Sequence, residues 1–138
     1  QLLLYPNVKK TLDALRKKYK LASVSDGQTQ WARAELASVG LRGYFHPFIV
    51  SGDYGYRKPD ERLFKKALKK MDMTADEVVF VGNDMYRDVF GAAQLGIKTV
   101  LFRSNQGEQE YCGTRADAEI TAFGQLPAAI KAIEKSLK

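Results

Sequence analysis

The sequence predicts an α/β fold of three layers, α/β/α, built around a mostly parallel sheet. Three observations predict it. Apolar residues alternate between helical and strand spacing along the whole length. The strand-length runs are short blocks of Val, Leu, Ile and Phe, as expected of parallel strands covered by helices. Polar residues able to do chemistry follow these blocks directly, and right-handed crossovers bring strand C-termini to one edge, where such sheets bind ligands.

Taken in order, Val8, Leu12 and Leu15 share one face of a helix that begins near Asn7, a candidate N-cap. Leu21-Ala22-Ser23-Val24 reads as a strand ending at Ser25-Asp26-Gly27. A helix follows over roughly Thr29 to Val39, with Gly40 closing it. Phe48-Ile49-Val50 is the next strand, and the loop from Ser51 to Lys58 contains Asp53. Pro59 suits the first turn of a helix carrying Leu63, Phe64, Ala67, Leu68 and Met71. Val78-Val79-Phe80-Val81 is a strand broken by Gly82, and a helix from about Arg87 to Leu95 ends at Gly96. Thr99-Val100-Leu101-Phe102 is a further strand. The polar loop 103–115 leads to a short strand at Ala118-Glu119-Ile120 and a last helix with Leu126, Ile130, Ile133 and Leu137 on one stripe. No repeat or linker interrupts the order, so residues 1–138 are expected to form a single domain.

Composition narrows the function. The chain has 138 residues, of which 45% are hydrophobic, enough for one core. The net charge is +6, but the basic residues sit mainly in two helical clusters, Lys9 to Lys20 and Lys65 to Lys70, spaced as solvated helix faces. No aromatic-basic RNA motif or zinc-finger spacing accompanies them, so no nucleic-acid partner is expected. No apolar run approaches the ~20 residues of a membrane-spanning helix, so no membrane is expected either. The lone cysteine, Cys112, excludes an internal disulfide and fits a reducing, cytoplasmic setting. His46, Trp31 and Cys112 lack the partners that ligation, stacking or nucleophilic attack would need.

Three post-strand segments carry complementary chemistry. Ser25-Asp26-Gly27 offers a hydroxyl and backbone N–H groups, Lys58 a cation, and Asp84 with Asp88 a pair of carboxylates. A phosphoryl group bound with Mg²⁺ needs this mixture, because hard oxygen donors suit that ion and positive donors suit the phosphoryl oxygens. The competing reading of Asn83 or Asp84 is an N-cap for the helix that follows.

On these residues the chain resembles the C-terminal core of a haloacid dehalogenase (HAD) superfamily hydrolase, with its Rossmann-like fold. The strand ending in Ser25-Asp26-Gly27 is similar to the family's second motif, and Gly55-Tyr56-Arg57-Lys58-Pro59-Asp60 to the third, with its lysine before proline. Val81-Gly82-Asn83-Asp84, followed by Asp88 and Gly91-Ala92, is similar to the fourth, acidic motif. Tyr5-Pro6-Asn7-Val8 matches the segment that leads from the family's cap into its core. The resemblance implies an Mg²⁺-dependent phosphatase of small phosphorylated substrates that works through an aspartyl-phosphate. It implies catalytic roles for Ser25 and Lys58, a phosphate site formed by Ser25, Asp26, Gly27 and Lys58, and metal ligation by Asp84 and Asp88. Asn83 stands where the family often has an acid, so the direct ligand is open among Asn83, Asp84 and Asp88, with Asp84 favoured. Asp26 stands where asparagine is more usual.

The family's nucleophile motif, Asp-x-Asp-x-Thr/Val, does not occur in these 138 residues, and neither does a cap. The strand bearing that motif lies, in the family, between the strand ending at Ser25 and the one ending at Gly82. The expectation is an incomplete core whose sheet is completed by a preceding segment or another chain. The alternatives are a non-catalytic, degenerate phosphate- or partner-binding module and a metal-independent dehalogenase; the acid pair favours the phosphatase. A receiver-type signalling domain is disfavoured, because Lys58 precedes the acid pair instead of following it.

Overall fold

A computed structural model describes residues 7–26, 40–41, 43–103 and 107–137. The helix expected over 29–39, with Trp31, and the expected phosphate-site residue Gly27 lie outside them. The elements are α1 (Val8–Leu15), β1 (Ser23–Ser25), β2 (Phe48–Val50) with a 3-10 turn at Ser51–Asp53, and α2 (Glu61–Met71). They continue with β3 (Val79–Gly82), a π-helical turn (Met85–Phe90) running into α3 (Gly91–Ala93), β4 (Lys98–Phe102), β5 (Ala118–Ile120) and α4 (Leu126–Ser136).

Every strand pair is parallel. β1 pairs with β2 in the register Val24 to Ile49, and β4 lies between β3 and β5, with Val81 opposite Val100 and Val100 opposite Ala118. The strands therefore form two ladders, β1-β2 and β3-β4-β5. Among the described residues β1 and β3 each pair along one side only. The family resemblance implies a strand between these two.

Side-chain alternation along the strands fills both faces. Val100 and Phe102 join Leu15, Ile120, Leu126, Ile130 and Ile133 beneath α1 and α4. Leu101 points the other way, to Met85, Val89 and Ala116. Phe80 packs with α2, its ring 5.0 Å from that of Phe64 and edge-on to it. On the first ladder Val24 and Ile49 meet Leu63 and Ala67 of α2. Ile49, Leu63 and Leu101 are fully buried, and each contributes about 1.5–3 kcal/mol of apolar transfer. The six cations from Lys9 to Lys20 are all exposed, as a solvated face requires.

Local chemistry shifts several boundaries. Asn7 occupies the position before α1 in a left-handed conformation (φ 66°), and its side chain caps nothing. Pro59 lies ahead of α2 rather than in its first turn. Asp60 caps that helix, its Oδ1 accepting from the Arg62 N–H at 3.0 Å. Gly96 (φ 79°) ends α3, and the chain closes with Gly96 N–H donating to Ala93 and Ile97 N–H to Ala92. No helix among the described residues is long and apolar enough to cross a membrane.

Candidate active site

Parallel pairing puts the ends of β1 and β2 side by side, and Lys58, in the loop after β2, ties them to the end of β3 in the other ladder. Its backbone N–H donates to Asp26 Oδ1 (3.1 Å), just after β1, and its Nζ donates to Asp88 Oδ1 (2.5 Å), just after β3. The Lys58 side chain is 13% exposed and that of Asp88 5%, so the pair is largely shielded from water. Ser25 ends β1, its hydroxyl 3.1 Å from that of Ser23, two residues back on the same face. Asp53 closes the turn after β2.

The acidic loop owes its shape to Gly82. A Cβ there would stand 2.3 Å from Asp88 Cβ and Cγ, so only glycine lets the Asp88 side chain fold back across the end of β3. From that position Asp88 Oδ2 accepts from the N–H groups of Asn83 (3.1 Å) and Asp84 (3.2 Å). The π-helical turn, in place of a regular helix start, accompanies this reach-back.

Asp84 does a different job. Its Oδ1 accepts from the N–H groups of Tyr86 (2.9 Å) and Arg87 (2.8 Å), which makes it the N-cap of the turn. Its Oδ2 accepts from Glu108 N–H at 3.2 Å, across from the loop after β4. That loop forms a strap: Met85 N–H donates to Glu108 O (2.7 Å), and Gln109 Nε2 donates to Asn83 O (3.4 Å). Gly107 makes the close approach feasible, since a Cβ there would meet Asn83 O at 2.7 Å and its φ of 75° already favours glycine. Sequence reasoning missed this strap, and a glycine in a polar loop carries no distinctive signal.

The structure thus gathers Ser25, Asp26, Lys58, Asp84 and Asp88 at one edge. Asp84 and Asp88 are 7% and 4% exposed. Lys58 and backbone N–H groups offset the repulsion between two buried carboxylates. No group of three acidic, histidine or cysteine side chains is placed to hold a metal among the described residues. Mg²⁺ does not require one, because it keeps several waters and commonly takes one or two carboxylates beside a substrate phosphate. Asp84 and Asp88 each keep unused acceptor capacity, and no described residue hydrogen-bonds the Asn83 carboxamide, so the oxygen-only donor set fits that ion. A carboxylate repels phosphate oxygens, so any contribution of Asp26 to a phosphate site comes from its backbone.

Two clefts open nearby. One, of about 430 Å³, lies beside Lys58 between Asp26, Ser51, Tyr56 and Arg57. The other, of about 530 Å³, is lined by Met85, Arg103 and Tyr111, and its Arg103 is committed to Glu119 at 2.8 Å.

Known proteins bear on this geometry. The family model of haloacid dehalogenase-like hydrolases matches residues 1–102. A glyceraldehyde 3-phosphate phosphatase from Pyrococcus furiosus is 34% identical over 127 residues, which cover 88% of this chain and 52% of the relative. A phosphoserine phosphatase from Thermus thermophilus is 35% identical over 98 residues, covering 70% of this chain and 39% of that protein. The crystal structure of a HAD phosphatase from Thermococcus onnurineus superposes with a TM-score of 0.82 at 30% identity, over 92% of this chain and 58% of that one. The chain spans about half the length of the curated relatives it matches. Sequence match, fold and the ordered strand-end motifs agree: this chain belongs to the haloacid dehalogenase-like hydrolase family.

Proposed function

We propose that the full-length protein is a phosphomonoesterase acting on a small phosphorylated metabolite through an aspartyl-phosphate. The observation that carries this reading is the Lys58–Asp88 contact, which links the segments after β2 and β3, while the Lys58 N–H reaches Asp26 just beyond Ser25. A cation, a hydroxyl and two acids at one sheet edge suit a transferring phosphoryl group.

In this reading a carboxylate outside these 138 residues attacks phosphorus, carried on a strand that pairs with the open sides of β1 and β3. The bond from phosphorus to the ester oxygen breaks, and the leaving alkoxide takes a proton from an acid on the same strand. Water then hydrolyses the acyl phosphate and restores the carboxylate. Ser25 donates its hydroxyl to a phosphoryl oxygen. Lys58, steered by Asp88, balances charge on the nucleophile and phosphoryl group. Asp88 and Asp84, with the Asn83 carboxamide, would hold Mg²⁺, which when bound neutralises phosphoryl charge. The protein works without nucleic acid or membrane, in the cytoplasm.

The test is hydrolysis of p-nitrophenyl phosphate by the full-length protein with Mg²⁺ and with EDTA. Lys58→Ala is expected to lower kcat by roughly 10²–10³-fold or more, as loss of a charge-stabilising donor does. Near-normal turnover by that variant refutes the assignment. Turnover of a 2-haloacid without metal would favour the dehalogenase reading, and phosphate binding without turnover the degenerate module.

A further inference from the structure

The cleft beside Lys58 contains two groups that the phosphatase chemistry leaves unused. Arg57 is exposed and forms no ion pair among the described residues. Its neighbours differ: Asp60 holds Arg62 at 2.7 Å, and Glu61 holds Lys65 at 3.0 Å. The acids just downstream are therefore taken. Asp26, which also lines the cleft, spends one oxygen on the Lys58 N–H, and no described residue donates to the other. A guanidinium and a carboxylate oxygen thus face one cleft of about 430 Å³, within the size range of metabolite pockets.

Position adds to the argument. Arg57 and Lys58 are consecutive, with Cα atoms about 3.8 Å apart. Lys58 turns to Asp88 and the acidic loop, while Arg57 lines the cleft. A ligand with its phosphoryl group at Lys58 and its other end in the cleft therefore needs only a short carbon chain. A neutral alcohol end would satisfy Asp26 and leave Arg57 in water. A carboxylate next to a hydroxyl or an ammonium would satisfy both, the carboxylate forming paired hydrogen bonds with the planar guanidinium.

We propose that Arg57 and Asp26 form a specificity subsite for the non-transferred end of the substrate, selecting phosphomonoesters of small hydroxy or amino acids over those of neutral alcohols. Arg57 pairs with the carboxylate, and Asp26 accepts from the adjacent hydroxyl or ammonium. The inference rests on the phosphatase reading and goes beyond it by naming the substrate class. It also explains why an acid, and not asparagine, follows Ser25.

The experiment measures kcat/KM of the full-length protein for 3-phosphoglycerate and O-phosphoserine against glycerol 3-phosphate and glyceraldehyde 3-phosphate, with p-nitrophenyl phosphate as a generic substrate. The wild type is expected to favour the carboxylate-bearing pair by roughly 10- to 100-fold, the range of one charge-assisted contact. Arg57→Gln is expected to bring that ratio to within about twofold of unity, chiefly through KM. Asp26→Asn keeps an acceptor for the Lys58 N–H, and is expected to lower the preference for O-phosphoserine over 3-phosphoglycerate if the ammonium is the native partner. A loss on 3-phosphoglycerate alone identifies the hydroxyl, and unchanged rates on both substrates remove Asp26 from the subsite. No preference in the wild type, or equal losses on both series in Arg57→Gln, overturns the subsite. Turnover of p-nitrophenyl phosphate alongside such a failure leaves the phosphatase reading standing; no turnover of any ester removes both.

Discussion

Asp88 to Asn is the most discriminating single change, because it separates charge from shape. The carboxylate accepts from Lys58 Nζ at 2.5 Å and from two backbone N–H groups at 3.1 and 3.2 Å, with only 4% of the residue exposed. Asparagine keeps one oxygen for the backbone groups but turns an NH₂ towards the ammonium, donor against donor. Removing one member of a buried pair costs about 3–5 kcal/mol, and the slight exposure of Lys58 lets it reach water, so about 2–4 kcal/mol is expected. Lys58→Met removes the cation and leaves Asp88 its two backbone donors. If the pair interacts directly, the double variant is less destabilised than the sum of the singles by about 1.5–3 kcal/mol. Urea unfolding of the full-length protein at neutral pH measures all three, and each kcal/mol lowers Tm by about 2–4 °C. Because the pair is shielded, the coupling should persist in 0.5 M salt, as exposed pairs do not. Singles that add to within ~0.5 kcal/mol would show that the contact carries no energy and that Lys58 is not steered by Asp88.

The glycines and the exposed pairs give further tests. Gly82→Ala drives a methyl into Asp88 and is expected to cost about 1–3 kcal/mol in the same unfolding experiment, with phosphatase activity falling as Lys58 loses its partner. Gly91→Ala places a Cβ 2.7 Å from the Phe64 ring and 3.2 Å from Pro59, next to Lys58, and is expected to destabilise by a similar ~1–3 kcal/mol. Asp60 offers a pH test. The Arg62 side chain and N–H hold its carboxyl down at about 2, below its ordinary 3.8. A depressed carboxylate contributes stability that is present above the unfolded pKa and lost as pH falls through the folded one. Its share should therefore fade only between about pH 4 and pH 2, and Asp60→Asn should flatten the acid limb of the stability curve there.

The sheet was legible because parallel strands covered on both faces read as unbroken apolar runs. Val78 to Val81 is such a run, and β3 begins one residue later because Val78 is still extended chain leaving the turn at Ala75–Glu77. The ends of strands are where chemistry and fold coincide, so Ser25, Lys58, Asp84 and Asp88 could be named from spacing alone. What lay out of reach depends on contacts distant in sequence. The π-helical turn at Met85–Phe90 goes with Asp88 folding back over Gly82, a tertiary demand that overrides helical periodicity. The Gly107–Gln109 strap meets the acidic loop some 24 residues away in sequence, and nothing local announces it. Arg57 reads as one basic residue among many until the cleft places it beside Asp26.

Asp84 shows how one residue type serves two masters in this loop. As a metal ligand it would be a liability in the metal-free protein, where buried negative charge repels Asp88 and its neutralisation would stabilise the fold, the usual trade between function and stability. As a cap it is an asset with or without metal. The geometry favours the cap: three N–H groups, from Tyr86, Arg87 and Glu108, converge on its two oxygens, and they come from two different segments. Replacing it with alanine leaves those donors unmet, which costs about 1–2 kcal/mol for the cap alone. Asp84→Ala should therefore lower the unfolding midpoint already in EDTA, through the lost cap, and by more in Mg²⁺, where the ion's contribution is lost as well. A variant that is more stable than the wild type in EDTA would overturn the capping argument and restore Asp84 as the chief metal ligand. If the loss is instead equal in both, Asp84 is a cap alone, and metal ligation falls to Asp88 and the Asn83 carboxamide.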